Sequence, residues 1–237
     1  MVEYHPNIII PQPDVDEMYN NNYSLYMMRA VEATSTDQAK PAVWRSYDRS
    51  HITHQMDPWW TETYNLYTRP KVVPEVGQGI DNYTPYTKLN LKDLLRIFRE
   101  NATGDIYSGQ APDGSLTVDN EVRESKFSCG LCTLDEAGEV KPYNAFPSNG
   151  ISAITFTPIV KFIAFFATET INEGTVLVTT NTGGAIIDFT GSKVTKHIAN
   201  FSLGDGWSPD KTDPGNWLTP IPAGDVTKYL IVRTNAG

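Results

Sequence analysis

At 237 residues, a formal charge of −9 and 40% hydrophobic content, with 16 Pro, 17 Gly and 12 Tyr, the chain reads as β-dominated and long enough for one large β-domain. The acidic balance excludes nucleic-acid binding through a general positive field, which needs clustered Lys and Arg, and leaves room only for local basic patches. The longest apolar run, around Ile159 to Ala167, is interrupted by Lys161 and is too short for a membrane span, while acidic Glu3 in MVEYHPNIII does not read as the start of a signal peptide.

From Met1 to about Pro85, eight prolines fix the backbone and remove ladder donors, so long central strands are not expected there. The same segment carries Trp44, Trp59, Trp60 and eight of the tyrosines, more aromatic area than a solvated linker would hold. Both features suit an extended arm over residues 1–60, lying on its own domain or on a neighbouring chain, with the domain proper over 61–237. Met18 to Ala33 reads as a weak helix through Tyr23, Tyr26, Met27 and Ala30. Strands are expected over 42–47 and 62–69.

In TKLNLKDLLRIFRE, Leu91, Leu94, Leu95 and Phe98 keep the i, i+3, i+4, i+7 spacing of one helical face, Asn90 can cap the start, and Asn101 and Gly104 can end it. A helix is predicted there. Ala111-Pro112-Asp113-Gly114 reads as a turn, followed by strands over 116–122 and 125–134, a turn at Glu136-Ala137-Gly138 and a short strand over 151–156. Ile159, Phe162, Ile163 and Phe166 again keep helical spacing behind Pro158, although a buried strand is also possible. Further strands are expected over 175–180, 185–189, 194–201 and 226–233, with 204–222 a loop bearing Trp207 and Trp217.

Cys129 and Cys132 form a lone CGLC. Two thiolates at this spacing suit a redox pair or half a zinc site, but no second pair is present to complete four ligands, and the flanks read as strand, turn, strand. A structural pair of reduced thiols is expected. His51, His54 and Asp57 are the best metal candidate, with polar contacts as the default because Pro58 disfavours a helix there. No nucleophile motif, HExxH or phosphate-binding glycine loop occurs. Asn22, Asn82, Asn101 and Asn200 stand in N-x-S/T sequons, Asp188 in IIDFTG reads as a turn residue, and the indoles could stack on sugar rings. No catalytic, cofactor-binding or metal residue is assigned and no cofactor is expected.

The order of an aromatic-rich arm, LKDLLRIF, TPIVKFIAFFA and a strand opening at Gly174-Thr175 resembles a capsid protein of picorna-like positive-strand RNA viruses. The resemblance implies an all-β fold, an eight-stranded antiparallel jelly-roll β-sandwich with one or two short crossing helices and a long extended N-terminal arm. It also implies a structural, non-enzymatic subunit of a small icosahedral virion, present in the host cytoplasm during assembly. Its partners would be sister capsid subunits and a host receptor, with limited RNA contact and no membrane span. A carbohydrate- or receptor-binding β-sandwich of fibre or lectin type, using the loop at 204–222, is the alternative.

Overall fold

The structure is a computed structural model that describes residues 2–135 and 137–234. The chain opens with β1 (Glu3–Ile9) and a short helix, α1 (Gln12–Asn20), whose first turn holds Pro13, where a missing N–H costs nothing. Next comes β2 (Ser24–Ala33), followed by four short pieces, β3 (Lys40–Pro41), β4 (Arg45–Tyr47), β5 (Gln55–Met56) and β6 (Trp60–Thr61). The middle holds β7 (Tyr64–Arg69), β8 (Thr84–Leu89), β9 (Leu94–Ile97), β10 (Gly104–Tyr107), β11 (Leu116–Asn120) and β12 (Lys126–Leu134). β13 (Val140–Pro142) and β14 (Asn144–Asn149) lead into β15 (Ser152–Ala167). The last part comprises β16 (Thr179–Thr180), β17 (Gly184–Asp188), β18 (Lys196–Ser202), β19 (Gly206–Pro209), β20 (Leu218–Ile221), β21 (Gly224–Asp225), the one-turn α2 (Thr227–Leu230) and β22 (Ile231–Arg233).

The described residues are mostly β, in several sheets, and β15 is the spine. Its first half pairs with β11 and its second half with β17, while β2 runs antiparallel along its other edge from Phe156 to Ala167. A second sheet, β3-β14-β12-β7-β8, faces this one, and Phe146 and Phe156 meet across the gap at 4.9 Å between ring centroids. A third, β19-β18-β1-β5, closes one end through Phe166, Phe201 and Trp207. Antiparallel ladders predominate, but β1 with β18, β9 with β11 and β2 with β22 run parallel.

Proline positions explain how a proline-rich chain builds sheets. Pro41, Pro85, Pro209 and Pro220 lie in β3, β8, β19 and β20, each at the end of a sheet's strand order, where a missing donor breaks no ladder. Pro6 is inside β1, but it falls between the residues paired with β6 (Glu3, Tyr4) and those paired with β5 (Ile8, Ile9). Pro158 borders the bulge in the pairing of β15 with β2.

Several expectations are corrected. The helix predicted over 89–99 is the turn Asn90 to Asp93 followed by β9, with Lys88 and Lys92 at φ of 62° and 82°, values no right-handed helix contains. Asn90 N–H does donate to Asp93 Oδ2 as in a cap, but Asp93 N–H donates to the Asn90 backbone carbonyl rather than to its side chain, and this turn leads the chain into a strand. The block Pro158 to Ala167 is strand, not helix: Phe162, Ala164 and Phe166 enter one core cluster while Ile163, Phe165 and Ala167 enter another. Burial on both faces erases the alternation that marks a strand. Over 18–33, the helix ends at Asn20, Asn22 turns at φ 57°, and β2 begins.

The extended arm is likewise not what the first sixty residues form. β1 and β2 lie inside sheets, and Trp44 and Trp60 are 1% and 3% exposed within the chain's own core. The loop at 204–222 contains β19 and β20, the strand at 226–233 is α2 plus β22, and the strand at 175–180 shrinks to β16 and two isolated bridges. Glu136 of the turn at 136–138 lies outside the described residues.

Candidate functional site

The sequence-predicted residues are not brought together. His51 is in a 3-10 turn and pairs with Asp48 at 2.9 Å, His54 donates through Nδ1 to the Ile10 carbonyl at 2.6 Å, and Asp57 pairs with His5 at 2.9 Å. Hydrogen bonds from Ser50 and then His51 hold the exposed Asp48 carboxyl down at about 2. His197 is buried, bonded to Asp213 at 2.9 Å and stacked on Trp217 at 4.3 Å. Among the described residues no group of three or more His, Cys, Asp or Glu is placed to hold a metal ion, and no helix is long and apolar enough to cross a membrane.

Cys129 and Cys132 are both buried and free. Three residues apart on one strand, they face opposite sides: Cys129 joins the cluster of Leu131 and Phe146, and Cys132 that of Tyr67 and Val176. The intervening Gly130 is required by packing, since a Cβ there would lie 2.4 Å from the Asn144 carbonyl oxygen. Burial pushes the Cys129 thiol from its ordinary 9.0 up to about 12 and raises Cys132 as well. The folded value lies above the unfolded one, so this contribution to stability is complete below pH 9.0 and is lost as pH rises towards about 12. A thiol-specific disulfide reagent at neutral pH should therefore leave both cysteines untouched until the protein is unfolded. Rapid labelling of the native chain would contradict this burial.

Of the tryptophans, Trp207 and Trp217 are turned inwards at 6% and 9% exposure, so the segment at 204–222 does not present the indoles a lectin loop would need. Trp59 is the exposed one, at 41%. Its neighbour Trp60 packs edge-on against Trp44 at 5.3 Å, because successive residues of an extended segment point to opposite sides.

Beside Trp59 lie two adjoining clefts of about 290 and 200 Å³ that share Arg45, Thr133 and Asp135. Their floor is tied down from several elements. Trp44 donates its indole N–H to Thr133 Oγ1 at 2.7 Å, and the guanidinium groups of Arg29 and Arg45 each lie 4.9 Å from its ring centroid. Arg45 Nη1 donates to the Trp59 carbonyl at 2.9 Å. At the far end Lys141 bridges Glu173 (3.2 Å) and Asp135 (3.4 Å). Burial opposes the charge on Lys141, but the two carboxylates outweigh it and raise its pKa.

Behind this floor, Arg29 is fully buried and donates from Nη2 to Glu62 Oε1 at 2.6 Å, and the same oxygen accepts the Trp60 indole N–H at 2.8 Å. Arg29 Nη1 has no partner among the described residues. Sequence reasoning missed both the clefts and this ion pair, since their residues come from five separate segments, around Arg29, Arg45, Trp60, Asp135 and Glu173, and nothing in local spacing links them. Comparison with protein-family models, with curated protein sequences and with solved structures gives no match.

Proposed function

We propose that this chain is a structural subunit of a small icosahedral virus of the picorna-like positive-strand RNA type, assembling with sister subunits to enclose the genome. The observation that carries the reading is how the chain uses its reactive groups. The four histidines are hydrogen-bonded, to Asp57, Asp48, the Ile10 carbonyl and Asp213, and both thiols are sealed in the core, so these groups are engaged in contacts of the chain's own structure. The mostly β architecture and the sequence resemblance support the same reading. Within it, the eight-stranded jelly roll would be built from the antiparallel ladders of β7, β8, β12 and β14 facing those of β2, β11, β15 and β17. A charge of −9 fits a subunit that leaves RNA contact to its partners.

Because Trp44 and Trp60 are spent inside the chain, they cannot supply the contacts between subunits. Those contacts fall instead to apolar side chains left on the surface, such as Ile151 at 66% and Phe98 at 40% exposure. The test is electron microscopy of the chain co-expressed with the polypeptides encoded beside it. Closed particles of uniform diameter are expected, and a monomer under every condition of concentration and salt would refute the proposal.

A further inference from the structure

The clefts beside Trp59 have a composition that the shell reading does not use, and we infer that they form a binding site for a neutral pyranose sugar. A pyranose ring offers one flat face of C–H groups and a rim of hydroxyls that both donate and accept. It is held by an exposed aromatic plane with charged and hydroxyl side chains at its edge.

Trp59 supplies the plane. Its backbone N–H donates to the Asp57 carbonyl at 2.8 Å and its own carbonyl accepts from Arg45 at 2.9 Å, so the backbone that carries the indole is held before a ligand arrives, and the His5 ring lies stacked 6.5 Å from it.

The edge supplies the polar groups. Arg45 Nε and Nη2 make no hydrogen bond among the described residues and remain as donors, and the Thr61 hydroxyl is likewise unpaired among them. The Asp135 carboxylate is held by the backbone N–H groups of Ala137 and Glu139 at 2.9 and 2.8 Å and accepts from sugar hydroxyls. The ligand is neutral because the described residues lining the clefts set two cations, Arg45 and Lys141, against two carboxylates, Asp135 and Glu173, and Lys141 is already spent on both. The chain's charge of −9 further repels acidic sugars.

The inference does not rest on shell assembly, and its test reads sugar rather than particles. The intact chain is titrated with methyl β-galactoside, methyl β-glucoside and methyl α-mannoside, with sialyllactose as the acidic arm, following tryptophan fluorescence and heat. A saturable response to at least one neutral glycoside is expected. It should weaken by about tenfold or more in Trp59→Ala, which removes the stacking plane, and in Arg45→Gln, yet persist in Tyr19→Ala, an exposed aromatic elsewhere. No saturable response to any neutral glycoside, a response confined to sialyllactose, or one undiminished in Trp59→Ala would overturn the site. So would a Trp59→Ala chain that loses self-association and shows no change with sugar, which would make the indole a contact between subunits. Trp59 is exposed, so its replacement leaves the core intact, and thermal melting of each variant verifies folding.

Discussion

A chain shortened to begin at Thr34 is expected not to fold. The deletion removes β1, α1 and β2, and β2 is an inner strand, paired with β15 on one side and with β4 and β22 on the other. Leu25, Met27 and Val31 fill one core cluster, and Tyr26 and Met28 fill another, all at 2% exposure or less. At about 1.5–3 kcal/mol for each large apolar side chain, losing these five alone forfeits on the order of 10 kcal/mol. Stability of a whole domain is only about 5–15 kcal/mol. Deletion also uncovers the long edge of β15, an apolar template for aggregation. Near-UV circular dichroism and urea denaturation should show no native signal and no cooperative transition. A truncated chain that melts cooperatively near the full-length temperature would restore the reading of the N-terminal residues as an extended arm.

The second large effect is expected from Glu62→Ala, which should lower stability by about 3–5 kcal/mol because it leaves the Arg29 guanidinium buried without its counter-charge. Arg29 is 2% exposed, and its Nη1 already has no partner among the described residues, so there is little to compensate the loss. The Trp60 indole N–H loses its acceptor in the same step. For a chain of this size the melting temperature should fall by on the order of 10 °C. Salt should change the difference little, because the pair is shielded from solvent ions. Replacing both charges, as Arg29→Met with Glu62→Leu, should recover most of the loss, since an apolar pair of similar volume carries no desolvation penalty. A Glu62→Ala protein within about 1 kcal/mol of the parent would show that the pair contributes no more than an exposed one.

Strand positions were legible where apolar and polar residue types alternate between turn residues, whether the burial itself alternates, as in β17 and β18, or covers both faces, as in β7 and β11. β7, β11, β17 and β18 fall within a few residues of their predicted spans, since alternation and flanking turn residues mark them. The predicted helix around Leu94 failed for a different reason from the one around Phe162. In the first, a genuine Asn90 and Asp93 turn signal was read as a cap, although the left-handed backbone at Lys88 and Lys92 is invisible in residue type. In the second, apolar residues on both faces of β15 produce helical spacing by accident. The candidate site was hidden altogether. Trp59 and Trp60 are equivalent as letters, and only their opposite facing along the extended segment that enters β6 puts one indole in solvent and the other in the core.

The sequence by itself determined that the chain is β-dominated, acidic and without a recognisable catalytic motif, because composition and short-range alternation depend only on neighbouring residues. It also showed that the first third carries too much aromatic area to stand in water. Only the tertiary structure decided what covers that area. The covering surface includes Phe162 of β15, Phe189 and Thr133, a hundred residues or so downstream, and a contact between distant segments leaves no trace in local spacing.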